Sequence, residues 1–327
     1  MTVRPGDAVD PVDRATALSR AASVLADAGL RGSLLVRHLG TGAELALEPD
    51  RPYPLASLIK LPLAGAVLAA AARGDVDLGT PVRITAAKRA RGGPGLARFE
   101  HPVTVALGDL LHLAMEISDN TAADALFRAV PPAGVTAWVR SLGVDGVVAR
   151  HPIEALYSSL AARVGQSDAD TVHALVVAAE RHGHPSPLPE LDIERANAGT
   201  ARGVADLLTR VWDGTVPDDV ARPLRGLLAG NVLRQRLAPD LASDRATWSS
   251  KTGSFVHLRH EAGVVEHASG EALVVVALTR STIPAMVQPL AEQAMGHAVR
   301  LLHDALLGAG RPLDGGLVGG GYPALHQ

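Results

Sequence analysis

The stretch 53-YPLASLIKLPLAGAVLAAAARG-74 combines an apolar helix pattern with one serine and one lysine near its start. Small and aliphatic residues fill almost all of the remaining positions, which predicts a helix buried on all sides. Lys60 lies three residues after Ser57, so a helix places both side chains on one face. A lysine that burial keeps neutral is a base able to activate a serine hydroxyl. A helix cap followed by a lysine reaching toward solvent is the structural alternative.

Lysine is rare in this chain, which makes its positions informative. Of 31 basic residues, 28 are arginine, and the lysines are Lys60, Lys88 and Lys251. A guanidinium stays protonated in proteins, whereas a buried amine can lose its proton at neutral pH. We therefore look for chemistry first at the lysines.

Composition excludes several classes of protein. The net charge is −3 and no basic stripe is present, which argues against a nucleic-acid partner. The chain has no cysteine, so disulfides and thiolate metal sites are impossible. The chain contains no run of about 20 apolar residues, the length that a membrane-spanning helix requires. The N-terminal residues MTVRPGDAVDPVDRATALSR contain no apolar signal core, so we expect a cytoplasmic protein, or a secreted one if the N-terminus is processed.

The hydrophobic periodicity predicts an α/β fold, more specifically α+β. A helix over 14–29 precedes a hairpin over 32–48, and strands at 246–254, 260–267 and 272–280 precede a final helix over 284–307. Between them lie helical patterns at 107–117, 120–129, 134–141, 170–182 and 200–213. The hairpin and the late strands must share one sheet, so we predict an antiparallel sheet flanked by the terminal helices, with an all-helical lobe inserted.

This organisation predicts one catalytic domain over 14–307. Its α/β lobe covers about 14–56 and 233–307, and its helical lobe about 57–232. Residues 1–13 form an N-terminal extension, and the glycine-rich tail 308–327 is expected to be disordered. The cleft between the lobes is the expected place for a site.

Two further motifs carry possible chemistry. In 118-SDNTAADAL-126, Ser118 could relay a proton and Asn120 could hold a substrate amide. The alternative is that a Ser or Asp of this motif is the N-cap of the helix that follows. In 251-KTGS-254, an ammonium and two hydroxyls at a strand end could bind a carboxylate, and Gly253 would let a ligand come close. An ordinary lysine at a strand end is the alternative.

Together, in this order, SLIK, SDN and KTG resemble the motifs of class A β-lactamases and related penicillin-binding proteins. The resemblance runs from about residue 14 to 307. It includes LASLIKLPLAGAVL, ISDNTAADALF, NAGTARGVADLL and the approach LLAGNVLRQRLAPDLASDRATWSSKTGS. It implies the two-lobed β-lactamase/transpeptidase fold.

The resemblance also implies roles for individual residues. Ser57 would be the acylated nucleophile, Lys60 its proton acceptor and Ser118 the proton donor to the leaving nitrogen. Asn120 would contact the substrate amide. Lys251, Thr252, Gly253 and Ser254 would bind the substrate carboxylate, and the N–H groups of Ser57 and Ser254 would form the oxyanion hole.

Several positions depart from the family pattern or extend it. Glu154, in 150-RHPIEALYS-158, stands where the family carries its deacylation base, but Ser158 replaces the expected asparagine. A glutamate that solvates a helix start is the alternative. Phe255 replaces the usual glycine after KTGS, and the 159–196 region looks longer than the family's Ω-loop. Arg259 is a candidate second carboxylate anchor, with a solvated strand arginine as the alternative.

We therefore expect an acyl-enzyme-forming serine hydrolase that degrades a β-lactam or related cyclic amide, as a resistance enzyme would. The alternatives are an intracellular peptidase or acyltransferase of the penicillin-binding type, and a β-lactam-binding module without turnover. The histidine pairs at 182/184 and 257/260 lack metal-binding spacing, so we expect no metal. We also expect no cofactor, no membrane or nucleic-acid partner, a small β-lactam or peptide-like substrate and a monomer.

Overall fold

The fold was analysed in a computed structural model, which describes residues 11–90, 93–156, 158, 169–184, 186–284 and 287–308. Most of the predicted N-terminal extension and the tail from 309 onward lie outside the described residues. Residues 159–168, the first part of the predicted long region 159–196, also lie outside the described residues.

A five-stranded antiparallel sheet forms the centre of the α/β lobe. Its order is β2-β1-β10-β9-β8. The bounds are β1 Leu30–His38, β2 Glu44–Leu47, β8 Ala246–Phe255, β9 Leu258–His267 and β10 Ala272–Ser281. Strand β1 from the N-terminal hairpin pairs with β10, so Leu30 lies opposite Ser281 and His38 opposite Leu273. The predicted sharing of one sheet by early and late strands is confirmed.

Ten α-helices surround this sheet within the described elements. They are α1 Pro11–Asp27, α2 Lys60–Ala72, α3 Leu107–Glu116, α4 Asn120–Ala129, α5 Pro132–Ser141, α6 Ala169–Arg181, α7 Ala201–Trp212, α8 Asp218–Ala229, α9 Ala238–Leu241 and α10 Pro289–Leu307. Residues 153–156 are also helical. Two small sheets, β3-β7-β6 and β4-β5, were not predicted. They comprise β3 Pro52–Pro54, β4 Pro81–Ile84, β5 Val103–Ala106, β6 Val147–Val148 and β7 Ala198–Thr200.

The alternating residues of the central strands supply two separate apolar cores. Leu34 and Val36 pack in a cluster with residues of α1 and α10. Leu35, on the opposite face, packs in a larger cluster with residues of α2, α3, α4 and α7. Successive side chains of a strand point to opposite faces, so one sheet supports both layers. The terminal helices thus cover one face and the helical lobe the other.

Helix α2 is the centre of the helical lobe. All its residues from Lys60 to Ala70 are buried, as the apolar pattern predicts. Strand β8, at the edge of the sheet, lies beside the turn that leads into α2. Lys251 on β8 pairs with Ala262, which belongs to the larger core, so Lys251 points toward the helical lobe.

Candidate active site

The predicted nucleophile, Ser57, lies in a 3-10 turn, Ala56–Ile59, and Lys60 opens α2 directly after it. The sequence predicts that one α-helix contains both Ser57 and Lys60, whereas the structure places Ser57 in the turn before α2. In a 3-10 turn, side chains three residues apart eclipse each other, so Ser57 and Lys60 still share one side. Ser57 is half-buried and therefore open to a substrate. Ala56 has φ 48°, a left-handed conformation that is strained for a non-glycine residue and typical of functional turns.

Lys60 is fully buried and has three polar partners. Its Nζ donates to the carbonyl oxygen of Ser118 at 2.6 Å and to Asn120 Oδ1 at 2.7 Å, and lies 3.2 Å from Ser118 Oγ. Burial lowers the pKa of Lys60 to about 7, although the carboxylates of Asp119 and Asp124 oppose the shift. The side chain is therefore a base that can be neutral near physiological pH.

The Ser57 hydroxyl makes no hydrogen bond to Lys60 among the described residues. Three oxygens already surround the Lys60 amine, so its ammonium form has no free N–H. To act as the predicted base, Lys60 would first lose a proton, and its lone pair would then turn toward Ser57.

Ser118 lies between the two buried lysines of the site. Its backbone has φ 60°, which ends α3 and turns the chain into α4. The N-cap role belongs to the next residue, Asp119, which accepts from the backbone N–H groups of Ala122 at 3.1 Å and Leu96 at 2.7 Å. Because Asp119 caps the helix, the Ser118 hydroxyl is left to face the lysines.

Lys251 reaches the same hydroxyl from the sheet. Its Nζ donates to Ser118 Oγ at 3.1 Å and to the carbonyl oxygen of Thr252 at 3.0 Å. Burial, together with the charges of Lys60 and Arg236, lowers the pKa of Lys251, while the Glu261 carboxylate opposes that shift. Two buried ammonium groups that share one hydroxyl repel each other, so the pair releases a proton easily. The hydrogen bonds thus connect Lys251, Ser118 and Lys60 in one continuous chain.

Gly253 allows β8 to pack tightly against the Ser57 turn. A Cβ atom at Gly253 would lie 2.7 Å from the carbonyl oxygen of Leu55 and 3.0 Å from the backbone nitrogen of Leu58. The close neighbours of Gly253 are the residues on either side of Ala56 and Ser57, and the approach of a ligand to this glycine stays a prediction. The contact fixes the distance between the two chain segments that carry Ser57 and Ser254.

Thr252 and Ser254 alternate with Lys251 along β8. Thr252 is buried and pairs with Glu261 of β9, whereas Ser254 is exposed. The Glu261 carboxylate is itself buried and accepts from Trp248 Nε1 at 2.8 Å and Ser250 Oγ at 2.7 Å. The Glu261 side chain therefore lies on the face of β8 that carries Ser250 and Thr252, opposite to the face that carries Lys251.

Arg259, the predicted second anchor, has a buried guanidinium that donates to the carbonyl oxygens of Val256 at 2.8 Å and Leu258 at 2.7 Å. It is not the solvated strand arginine of the alternative interpretation. The structure shows it closing the β8–β9 turn, and a contact with substrate stays a prediction.

Arg236 is a site residue that the sequence reasoning missed. It is buried, and its Nη2 donates to Ser254 Oγ at 2.6 Å. Nη1 donates to the carbonyl oxygen of His260 at 2.8 Å, and Glu292 of α10 forms an ion pair with Nη2 at 2.9 Å. The motif RQR contains two arginines, and no feature of the sequence distinguishes Arg236 from Arg234.

Glu154 is exposed and lies in the helical residues 153–156. Its backbone N–H donates to Asp124 Oδ1 at 3.1 Å, which ties the Glu154 segment to α4. Asp124 is the second residue that sequence reasoning missed, because a carboxylate inside SDNTAADAL looks like an ordinary polar helix position.

Phe255 occupies the position of the family's usual glycine and is buried. It belongs to a third apolar cluster with Ala56, Leu156, and residues Val172 and Val176 of α6. The cluster joins the Ser57 turn, the end of β8 and the described part of the long loop. The large side chain of Phe255 therefore helps to hold the described part of this loop against β8 and the Ser57 turn.

A family model of the β-lactamase enzyme family matches residues 16–306. The chain belongs to the β-lactamase enzyme family. A protein named β-lactamase regulatory protein BlaB, from Streptomyces cacaoi, is 46% identical to this chain over 295 residues, which cover 86% of this chain and 95% of that protein. The resemblance stated from the three motifs is confirmed.

Solved structures of similar fold include β-lactamases and a penicillin-binding protein. The β-lactamase of Sphaerobacter thermophilus is 23% identical with a TM-score of 0.70, covering 90% of this chain and 97% of that one. The β-lactamase of Chitinophaga pinensis is 20% identical with a TM-score of 0.71, covering 89% and 99%. PBP-A is 19% identical with a TM-score of 0.69, covering 92% and 98%. The predicted β-lactamase/transpeptidase-like fold class is confirmed.

No described helix is long and apolar enough to cross a membrane. No group of three or more His, Cys, Asp or Glu side chains placed to hold a metal ion occurs in the described parts of the chain.

Proposed function

We propose that this member of the β-lactamase enzyme family is an active-site serine hydrolase that opens a β-lactam or related cyclic amide through an acyl-enzyme on Ser57. The observation that carries the proposal is the convergence of two buried lysines on one hydroxyl: Lys60 at 3.2 Å and Lys251 at 3.1 Å from Ser118 Oγ. Such a pair can hold and pass one proton, which amide cleavage requires.

In the acylation step, neutral Lys60 removes the proton of Ser57 as its oxygen attacks the amide carbonyl carbon. The backbone N–H groups of Ser57 and Ser254 would stabilise the oxyanion, at about 3 kcal/mol per donor. The carbon–nitrogen bond then breaks, and Ser118 gives its proton to the departing nitrogen. Ser118 recovers a proton from the lysine pair, so the step begins and ends with the same number of protons.

Substrate binding would use the polar groups of β8 and α4. The Lys251 ammonium and the Thr252 and Ser254 hydroxyls would receive a substrate carboxylate. Arg236 supports this pocket through Ser254, and we propose it rather than Arg259 as the second positive charge, because its Nη2 reaches Ser254 Oγ at 2.6 Å. Asn120 would contact the substrate amide through its side-chain nitrogen while its Oδ1 accepts from Lys60.

Hydrolysis of the ester needs a base and a water molecule, and Glu154 is the proposed base. Its backbone is held by Asp124, but its side chain is exposed and Ser158 stands where the family has asparagine. We therefore expect slower deacylation than acylation.

The test is intact-mass analysis after incubation with a penicillin, followed over time. We expect the wild type to gain the mass of one penicillin and then return to free protein. Ser57→Ala should gain nothing, with Ser141→Ala, an exposed serine on α5, as the matched control that still acylates. A wild type that never gains the adduct overturns the proposal.

A regulatory role is the second candidate. It is favoured by the printed name of the 46% identical relative, β-lactamase regulatory protein, and by the exposed side chain of Glu154. In that case the chain would acylate and keep the ester as a signal. An adduct that persists for hours in the same experiment would select this role over hydrolysis.

A further inference from the structure

His260 is a fully buried histidine on β9 that the proposed chemistry does not use. Its ring lies between two other strands. Nε2 donates to the carbonyl oxygen of Pro54, the last residue of β3, at 2.9 Å. Nδ1 accepts from the backbone N–H of Thr279 on β10 at 3.0 Å. Because Pro54 lies just before the turn that carries Ser57, the ring connects this turn to the central sheet.

These two partners fix the protonation of the ring. A carbonyl oxygen only accepts and a backbone N–H only donates, so Nε2 carries the proton and Nδ1 carries a lone pair. A second proton, on Nδ1, would face the N–H of Thr279. Burial, together with the charges of Arg236 and His257, lowers the pKa of His260 to about 3, against the effect of its hydrogen bonds to backbone groups. The neutral ring therefore keeps both hydrogen bonds at physiological pH.

Strand β3 has few hydrogen-bond donors of its own. Its sequence is PYP, and proline has no N–H, so only Tyr53 can donate to a neighbouring strand. Two residues after β3, the backbone of Ala56 has φ 48°, a strained conformation that persists only where the surrounding structure holds it. The hydrogen bond from His260 to Pro54 therefore restrains a segment whose prolines cannot donate a hydrogen bond themselves.

The backbone of His260 is connected to the other side of the proposed oxyanion hole. Its carbonyl oxygen accepts from Arg236 Nη1 at 2.8 Å, and Arg236 Nη2 donates to Ser254 Oγ at 2.6 Å. His260 also lies opposite Gly253 in the β8–β9 ladder. The same residue thus contacts the segment before Ser57 and, through Arg236, the strand end that carries Ser254.

We propose that His260 is a positioning residue of this active site, which holds the Pro54 carbonyl oxygen against β9 and so sets the distance between the Ser57 turn and Ser254. Its effect on acylation rests on the proposed function, whereas its effect on the position of the turn does not. The reach of the side chain matters. A glutamine amide extends to the position of Nε2 and keeps a donor for Pro54, whereas the shorter asparagine amide reaches only the position of Nδ1 and Thr279.

The wild type gives the first test. An N–H···N hydrogen bond transmits a scalar coupling between its two nitrogens, which NMR spectroscopy measures in ¹⁵N-labelled protein. We expect this coupling between the backbone nitrogen of Thr279 and Nδ1 of His260. It should persist from about pH 5 to 8, the range in which an ordinary histidine titrates. A coupling that is missing, or that disappears within this range, overturns the proposal.

The backbone amide signals of Ala56 and Ser57 give a second test that needs no substrate. They should move in His260→Asn and stay close to their wild-type positions in His260→Gln, because only glutamine reaches Pro54. His297→Gln, at an exposed position of α10, is the matched control and should leave them unchanged. Equal displacement in the two His260 variants overturns the proposal. If His260→Asn does not fold, a displaced Ser57 signal in folded His260→Gln overturns it.

Acylation by a penicillin, followed by intact mass over a range of concentrations, gives a third measurement. The maximal rate should fall about 10- to 100-fold in His260→Asn, as expected for a displacement of up to about 1 Å at a reacting centre, and much less in His260→Gln. The half-saturating concentration should change little, because the groups proposed to bind the carboxylate lie on β8. Equal maximal rates for the two folded variants contradict the proposal. If no protein forms an adduct, the proposed function fails, and the coupling and the Ser57 signal still decide the role of His260.

Discussion

Gly253→Ala is the substitution that most directly tests the geometry of the site. The added Cβ would lie 2.7 Å from the Leu55 carbonyl oxygen, whereas ordinary van der Waals contact begins at 3.4 Å. The neighbours are backbone atoms of the Ser57 turn, so they cannot rotate away. The strand and the turn must separate by roughly 0.7 Å, the difference between these two distances.

This separation moves the two N–H groups proposed for the oxyanion hole apart. A misplacement of about 1 Å at a reacting centre costs on the order of 100-fold in rate. We therefore expect acylation by a penicillin, followed by intact mass, to fall by about 100-fold. Overpacking a buried contact should also lower the free energy of unfolding by about 1 to 3 kcal/mol.

Gly226→Ala is the matched control. Gly226 lies in α8, and a Cβ there would meet nothing within 4 Å. We expect unchanged acylation and a gain of about 0.5 to 1 kcal/mol in stability, because alanine is the better helix former. If Gly253→Ala remains folded and acylates as fast as Gly226→Ala, the tight contact does not position the oxyanion hole and our reasoning is wrong.

Three further predictions concern the buried groups of the site. Arg236→Met should reduce acylation by a free penicillin acid about 10- to 100-fold but change acylation by its methyl ester little; an equal loss for acid and ester would show that the guanidinium does not serve the carboxylate. Burial lowers the pKa of Lys60 from 10.5 to about 7, so the unfolded chain binds the extra proton between these values. The wild type should therefore gain stability relative to Lys60→Met as the pH rises from about 7 to 10, and urea unfolding that shows a constant difference contradicts this. Phe255→Ala should lower the free energy of unfolding by about 3 to 5 kcal/mol and speed amide hydrogen exchange in α6, because it opens the cluster that joins β8 to that helix. Unaltered exchange in α6 would show that Phe255 does not stabilise this helix.

The long, regular elements were predictable from the sequence. Strand β10 contains the long apolar run ALVVVAL, and the three late strands extend over 246–255, 258–267 and 272–281, close to the predicted ranges. The final helix begins at Pro289 rather than at 284, because proline fits the first turn of a helix. Helix α8 was missed as a separate pattern since Pro223 interrupts it.

Short elements were not predictable. Strand β3 has three residues with a proline at each end, and β6 has two residues. They pair through β7, which is distant in the chain, so no local periodicity marks them. Nevertheless this small sheet holds the segment that leads into Ser57.

The candidate site was also predictable only in part. Motif spacing predicted Ser57, Lys60, Ser118 and Lys251, and the structure brings Lys60, Ser118 and Lys251 into hydrogen-bonding contact. The contacts of Asp124 with Glu154 and of Arg236 with Ser254 were not predictable, because each joins residues that lie far apart in the chain. The left-handed backbone at Ala56, Ser118 and Val256 was equally hidden, since none of these residue types favours it.

The two-faced packing of the sheet has a practical consequence for studying ligand capture. Helices α1 and α10 cover the face opposite to the helical lobe, and Ser19 on α1 is exposed. Since the chain contains no cysteine, Ser19→Cys would introduce a unique thiol for attachment to a chip or bead. Every immobilised molecule would then present its cleft outward, and antibiotic uptake could be recorded optically in real time.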